Sequence, residues 1–156
     1  MQPMLPAPGL THVFDLAVEV AQPVTIGETG SGIRRIIDIT GGTLSGPELS
    51  GAIRPGGADF QIIRANGLAE LTALYSIELS DGAQVYVENR GIRFGPKMEI
   101  DKLMRGEPAD WTQIYFRCAP RFETAAPQHQ WLMTHLFIGA GIREPRGVRL
   151  SIFKVE

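Results

Sequence analysis

Apolar and polar residues alternate along most of the chain. In Thr11–Val20, the even-numbered positions form one mainly apolar face, while Asp15 and Glu19 lie on the other. Leu68–Ser80 and Ile33–Thr40 repeat this alternation. A period of two with one polar face is typical of half-buried antiparallel strands. The pattern therefore predicts an all-β protein.

Glycine-containing pairs mark the predicted turns. Asn66-Gly67 and Asp81-Gly82 each lie between alternating segments. Both pairs tolerate the positive φ of a type I′ turn, which is a strong hairpin signal. A Pro-Gly-Gly corner at 55–57 precedes a further predicted strand, Asp59–Arg64. The segment 22–33, which contains Pro and three Gly, is predicted to be a loop.

One segment breaks the alternation. Pro96–Gly106 carries Met98, Leu103 and Met104 near helical spacing and is predicted to be a short helix. Segment 129–142 is ambiguous between a helix start and a strand. The chain thus predicts about eight or nine strands and one short helix. A single antiparallel β-barrel is favoured because closure removes sheet edges, and a sandwich is the alternative. A barrel of this size has room for one small ligand.

Composition fits one domain without a nucleic-acid or membrane partner. The chain has 156 residues, 44% of them hydrophobic and 21% charged, with a formal net charge of −2. This charge attracts neither nucleic acid nor an anionic membrane. A single cysteine, Cys118, excludes an internal disulfide and fits a cytoplasmic location. Residues 1–10 contain three prolines and no signal-peptide pattern, so they are predicted to be a flexible tether before a domain at 11–156.

Four segments resemble a known family. They read "TGGTLSGPELSGAIRPGGAD", "YVENRGI", "YFRCAPRFET" and "WLMTHLFIGAG". Together they resemble the DUF3237 (UPF0311) family, from about Phe14 to Val155. The resemblance implies a compact antiparallel barrel with a calycin-like interior. It implies a pocket rather than a particular reaction, because the family was defined without a function.

The chain departs from the family pattern at four positions. Thr72 and Leu74 stand where Asp and Arg are common, Cys118 where Thr is common, and Met133 where Asn is common. The two lost charges on one strand have two explanations, an altered ligand and a lost surface ion pair. Cys118 lies in an apolar strand, which favours a core thiol over a nucleophile.

Asp59 and Asn89 are the first candidate catalytic residues. Asp59 follows the glycine corner, so it is predicted either to cap backbone N–H groups or to act as a desolvated base at the barrel mouth. Asn89 shares the face of Val85 and Val87, which predicts an interior position. A buried Asn requires hydrogen bonds, from a loop or from a ligand oxygen.

Arg117 is the third candidate catalytic residue. It shares a strand face with Tyr115. If that face is interior, Arg117 requires a carboxylate, from Asp59 or Glu123, or an anionic ligand. A structural ion pair that only closes the barrel is the alternative. The residues predicted to contact substrate are Arg35, Tyr75, Tyr115, Glu123 and Trp131.

No metal or cofactor motif is present in the sequence. His129 and His135 are six positions apart, not the i, i+4 spacing of two ligands on one helix face. The "GETGSG" segment does not join a strand to a helix, as a dinucleotide fingerprint requires. The sequence therefore predicts no metal and no cofactor.

Two main functions remain after these exclusions. One is a cofactor-independent enzyme of lyase, dehydratase, isomerase or cyclase type, in which Asp59 moves a proton and Arg117 with Asn89 holds an oxyanion. Its partner would be a small hydrophobic or aromatic metabolite. The other is a non-catalytic carrier or sensor of the same molecule. A third reading is a filled barrel that acts through its surface. A homodimer is expected for a small barrel.

Overall fold

Antiparallel strands make up most of the structure, a computed structural model that describes all 156 residues. The strands are β1 (Leu10–Val20), β2 (Val24–Glu28), β3 (Ile33–Ser45), β4 (Ser50–Ile53), β5 (Gly57–Ile63), β6 (Ala69–Leu79), β7 (Gln84–Phe94), β8 (Tyr115–Glu123), β9 (Phe137–Glu144) and β10 (Gly147–Val155). Residues 1–9 belong to no helix or strand and are exposed.

Eight of the strands close into a barrel. The circuit runs β1, β10, β9, β8, β7, β6, β5, β3 and returns to β1. The closed circuit confirms the predicted barrel over the sandwich. β2 and β4 lie outside the circuit, paired to β3 and, for β4, also to β6.

Strand β2 lies in a segment that was predicted to be a loop. Val24 and Ile26 are both exposed, so this strand has no buried face to produce a hydrophobic pattern. Gly27 adopts a positive φ of 119° at a register shift in the pairing with β3. A glycine here follows from that conformation, which other residues rarely adopt.

The predicted helix is confirmed as α1 (Lys97–Met104), and it has a smaller companion. The ambiguous segment begins with the four-residue helix α2 (Trp131–Thr134) and continues as strand β9. Two short 3-10 turns lie at Trp111–Gln113 and Pro127–His129. Neither α1 nor α2 has the length and apolar character that crossing a membrane requires.

The barrel interior changes character along its axis. Val85 and Val87, at the start of β7, are buried in the apolar core, where the rings of Phe14, Phe122 and Phe137 meet edge to face. Further along the same face of β7, the inward positions are Asn89, Gly91 and Arg93. One end of the barrel is therefore filled with apolar side chains, and the other end is lined by polar ones.

Candidate functional site

Strand register brings the inward-facing polar residues into neighbouring rows. Asp59 on β5 pairs with Ala73 on β6, which pairs with Asn89 on β7. In the next row, Gln61 lies between Arg35 of β3 and Leu71 of β6. Because side chains alternate across a strand, residues two apart on β5 point to the same side of the sheet.

These rows surround an internal cavity. Its volume is about 50 Å³, enough for a few waters. Ala73 and Gly91 form part of its wall, and their small size leaves the space in front of them open. Its lining residues are Val18, Val20, Ile37, Ile39, Asp59, Gln61, Leu71, Ala73, Tyr75, Asn89, Gly91, Arg93, Phe116, Cys118, Arg143, Val148 and Leu150.

Asp59 is the one carboxylate in the cavity wall. Its Oδ2 accepts a 2.8 Å hydrogen bond from Nε2 of Gln61. Its Oδ1 is inaccessible to solvent and has no hydrogen-bond partner, although the residue as a whole is half-buried. Burial raises the pKa of Asp59, because desolvation outweighs the Gln61 hydrogen bond and the nearby positive charges. The structure thus leaves half of a desolvated carboxylate free.

Three arginines surround Asp59 without forming a direct ion pair with it. Arg93 is 5% exposed, and Arg35 is 6% exposed. Arg143, which is partly buried, lines the cavity with Arg93. Asp59 takes part in none of the ion pairs in the structure, so no arginine nitrogen lies within ion-pair distance of its carboxylate. Burial lowers the pKa of all three guanidinium groups, that of Arg93 to about 10.

Several neutral polar atoms of the cavity also lack partners. They are the Tyr75 hydroxyl, Oδ1 of Asn89 and Oε1 of Gln61. Burial raises the pKa of Tyr75 and of Cys118, so both side chains are neutral near pH 7. Buried polar groups in folded proteins are nearly always hydrogen-bonded, so such a concentration of exceptions requires an explanation. Ordered water or a bound polar ligand would supply the missing partners.

The arrangement combines a base, cations and neutral hydrogen-bonding groups around one space. A carboxylate with a raised pKa can accept a proton from a bound molecule. A buried guanidinium can stabilise the negative charge that remains. No group of three or more His, Cys, Asp and Glu side chains is placed to hold a metal ion.

The structure brings several sequence-predicted residues together. Asp59, Asn89 and Tyr75 all line the cavity, and Arg35 is buried at the same end of the barrel. The interior position predicted for Asn89 is confirmed. The cap predicted as the alternative for Asp59 is absent. Asp59 lies within β5 and bonds the Gln61 side chain rather than the glycine corner.

The interior position considered for Arg117 is wrong. β8 alternates regularly, and its buried positions are Phe116, Cys118, Pro120 and Phe122. Arg117 and Tyr115 therefore point outward, where the guanidinium lies 5.3 Å from the Tyr115 ring centroid. The structure thus removes Arg117 as the residue that holds an oxyanion in the cavity.

Glu123 and Trp131 also lie away from the cavity. Glu123 is on the exposed face of β8. Trp131 is in α2 and packs against Phe137, with ring centroids 5.9 Å apart. The prediction that Glu123, Trp131 and Tyr115 contact a substrate in the barrel interior is therefore wrong. The aromatic residue packs against the core, and the acidic one faces solvent.

Sequence reasoning missed Gln61, Arg93 and Arg143. The first two were within reach of it, because Gln61 is two positions after Asp59 and Arg93 is four positions after Asn89 on the same strands. Strict alternation from the two predicted residues would have placed both inside. Arg143 lies near the end of β9, in a strand that begins within the segment left ambiguous between helix and strand. No comparable signal pointed to it.

Comparison with known proteins establishes the family. Residues 8–155 match the family described as protein of unknown function DUF3237. The chain belongs to the DUF3237 family. A UPF0311 protein from Rhodopseudomonas palustris strain TIE-1 is 50% identical over 152 residues, which cover 97% of this chain and 99% of the relative. The predicted family resemblance is thereby confirmed over nearly the whole chain.

Solved structures of other proteins share this fold. A conserved protein of unknown function from Rhodopseudomonas palustris superposes with a TM-score of 0.92 at 48% identity, covering 98% of this chain and 100% of that chain. A more distant structure, described as an enzyme from Penicillium herquei, superposes with a TM-score of 0.75 at 19% identity over the full length of both chains. The second likeness shows the common fold alone.

Proposed function

We propose that this protein is a cofactor-independent enzyme that performs acid/base chemistry on a small, largely apolar, oxygenated molecule inside the barrel. The observation that carries this proposal is the free Oδ1 of Asp59, desolvated in a cavity that also holds unpartnered donors. The description of a barrel of the same fold as an enzyme is consistent with this proposal.

Asp59 is the base in the proposed reaction. Its carboxylate takes a proton from a carbon next to a carbonyl, or from a hydroxyl group, of the bound molecule. Its raised pKa strengthens it as a base relative to an exposed aspartate. When the proton comes from carbon, the electron pair left behind moves onto the carbonyl oxygen; when it comes from a hydroxyl, the pair stays on that oxygen. Either way an oxyanion forms. Asp59 then returns the proton to another atom of the same molecule, which completes an isomerisation. In a cyclisation the oxyanion first adds to a double bond of the same molecule, and the carbon that gains the displaced electron pair takes the proton, so neither reaction needs a co-reactant.

Arg93 takes the role that the sequence analysis gave to Arg117. It is buried on the cavity wall, and its Nε has no hydrogen-bond partner. A preorganised cation in a water-poor site stabilises a developing oxyanion more than one in water does. Asn89 and Tyr75 have free polar atoms on the same wall. They would orient the substrate through hydrogen bonds.

The remaining wall defines the substrate class. Eleven of the 17 lining residues are hydrophobic, among them Ile37, Leu71 and Phe116. Ligand sites are commonly apolar with a few placed polar groups that fix orientation. A small molecule with an apolar body and one or two oxygen atoms matches this combination. Lyase and dehydratase steps use the same base, with the proton leaving on the departing group.

A turnover experiment tests the proposal. The protein is incubated at low concentration with a metabolite extract of its source cells, and mass spectrometry follows each compound. We expect many equivalents of one compound to be lost and a matching product to appear. Asp59→Asn should reduce the rate by roughly 10²–10⁴-fold, the usual contribution of a general base. Asp38→Asn is the matched control, because Asp38 is exposed and lies beside Ala58 on the neighbouring strand.

Two outcomes would contradict the proposal in different ways. Turnover that survives Asp59→Asn would remove Asp59 as the base. Retention of at most one equivalent of a compound per barrel, with no product, would identify a binding protein instead. That is the alternative function, and it requires the same cavity without proton transfer.

A further inference from the structure

A second depression lies at the polar end of the barrel, and we call it the vestibule. Its volume is about 240 Å³ for the centres of water-sized molecules, several times that of the inner cavity. It is bounded by the segment after β1, the end of α1 and the β9–β10 turn. Its lining includes Val20, Arg35, Met104, Arg105, Arg143 and Arg146.

The vestibule and the inner cavity adjoin. Val20 and Arg143 line both spaces. Arg35 lines the vestibule and pairs in register with Gln61, which lines the cavity. A molecule that extends through this boundary would have one part beside Arg35 and Arg143 and another part beside Asp59.

Charge in the vestibule is of one sign. Four arginines line it, and no aspartate or glutamate does. Arg105 is neutralised by an ion pair with Glu107. Arg35, Arg143 and Arg146 take part in none of the ion pairs in the structure. Counting Asp59 against Arg93 and Arg143, the inner cavity has one positive charge in excess, and Arg35 at its boundary adds a second.

Arg35 and Arg143, which lie at the boundary of the two spaces, make hydrogen bonds that are weaker than those an anion would accept. Nη1 of Arg35 donates to the thioether sulfur of Met104 at 2.8 Å, and its Nε has no partner. Thioether sulfur is a weak acceptor. Arg143 donates only to backbone carbonyls, including that of Gly147 at 2.9 Å. A buried guanidinium without a carboxylate is costly, so its presence calls for an anionic partner.

We infer that the ligand of this barrel carries an anionic oxygen group, a carboxylate or a phosphate, that binds between Arg35 and Arg143 while its apolar body enters the inner cavity. This inference rests on the proposed function, because it names the substrate class of the same site. Guanidinium groups bind carboxylate and phosphate oxygens in paired, charge-assisted hydrogen bonds. The anion would replace Met104 as the acceptor for Arg35.

Direct binding of simple probes tests the inference without turnover. Calorimetry would compare butanoate, monobutyl phosphate and the neutral isostere butanamide. We expect saturable binding of at least one anion and no binding of the amide. The two anions then distinguish a carboxylate site from a phosphate site. Arg35→Gln and Arg143→Gln should each weaken anion binding about tenfold or more, as expected for a lost charge-assisted hydrogen bond.

A matched variant controls for charge, and a second one controls for folding. Arg121→Gln removes the same charge from the exposed outer face of β8 and should leave binding unchanged. Circular dichroism would check that each variant is folded. If Arg143→Gln does not fold, Arg143→Lys keeps the charge without the guanidinium geometry and should still weaken binding. Equal binding of amide and anions, or no anion binding at millimolar concentration, would overturn the inference.

The failure of this inference can be told apart from failure of the proposed function. Asp59→Asn removes the proposed base but no arginine, so it should bind the anions at least as tightly as the natural chain does. Anion binding without any turnover of extract compounds would refute the enzyme and support the site. Turnover of a neutral compound, with no anion binding, would support the enzyme and refute the site.

Discussion

The side-chain amide of Gln61 donates a 2.8 Å hydrogen bond to one oxygen of Asp59, and the other oxygen of that carboxylate is left free. Both residues face inward from β5, two positions apart. Gln61 is 1% exposed, and its own Oε1 has no partner. The pair therefore fixes the orientation of Asp59 and directs one oxygen atom toward the cavity.

Replacing Gln61 should make Asp59 harder to ionise. Gln61→Met keeps the length of the side chain but removes the donor, so the ionised form of Asp59 loses a stabilising hydrogen bond. We expect the pKa of Asp59, already raised by burial, to rise further. An NMR titration of the Asp59 carboxyl carbon measures this directly. A lower pKa in the variant would show that Gln61 does not stabilise the carboxylate.

Asp59 should make the barrel less stable as pH rises. Its folded-state pKa lies above its unfolded value, so between the two values the folded state binds more protons than the unfolded state does. Stability from this group is therefore complete below the unfolded pKa and is lost as pH rises through the folded pKa. Asp59→Asn, which cannot ionise, should gain stability relative to the natural chain as pH rises from 4 to 8.

Urea unfolding across that pH range measures the difference. The control is Asp81→Asn, because Asp81 has the opposite shift. Hydrogen bonds from the Ala83 backbone, Gln128 and His129 lower the pKa of Asp81 to about 2. The natural chain should be more stable than Asp81→Asn near neutral pH and should lose that advantage as pH falls toward 2. A pH-independent difference for Asp59→Asn would contradict the raised pKa.

The sequence predicted the barrel well because its signals were local. Hairpin pairs such as Asn66-Gly67 and alternating segments such as β6 depend on residues adjacent in the chain. Strand β2 escaped prediction because Val24 and Ile26 are both exposed. Its pairing with β3 depends on backbone hydrogen bonds rather than on a buried face. The alternation of apolar and polar residues does not reveal a strand of this kind.

The site was harder to predict because this barrel has polar side chains in its interior and some apolar side chains on its outer face. Arg117 and Arg93 both lie in alternating strands, but Arg117 is exposed and Arg93 is buried. The exposed Phe94 and Tyr115 on the outer face removed the contrast that normally separates inside from outside. A residue of known position is needed to decide which face of a strand points inward, as Val87 decides it for Asn89 on the same face. Without strand pairing, an error of one residue in that assignment exchanges the inward and outward faces.

Arg93 should make the folded protein less stable than an apolar residue of similar volume would. Arg93 is 5% exposed, its guanidinium lies 5.7 Å from the centroid of the Phe116 ring, and burial lowers its pKa to about 10. Replacing buried ionic groups with apolar ones of similar volume is often neutral or stabilising by about 1–4 kcal/mol. Arg93→Met should therefore raise the free energy of unfolding by up to about 4 kcal/mol, and it should abolish turnover.

Chemical unfolding at pH 7 measures the effect of Arg93→Met. Arg90→Met is the matched control on the same strand. Arg90 is exposed and pairs only with Glu88 at 3.2 Å, so its replacement should change stability by less than about 1 kcal/mol. A loss of several kcal/mol in Arg93→Met would show that Arg93 holds the barrel together and is not reserved for a ligand.

Adding one methyl group at Gly141 should disturb the cavity wall. A Cβ atom there would lie 2.8 Å from Cδ2 of Leu150 and 2.9 Å from the Phe116 ring. Both side chains line the cavity, so they would move into it. We expect Gly141→Ala to lower the free energy of unfolding by about 1–3 kcal/mol, the usual cost of overpacking, and to weaken binding of the anionic probes. Gly9→Ala is the control, because no atom lies within 4 Å of its added Cβ. If Gly141→Ala matched Gly9→Ala in both urea unfolding and calorimetry, the space bounded by Phe116 and Leu150 would not be where the ligand binds.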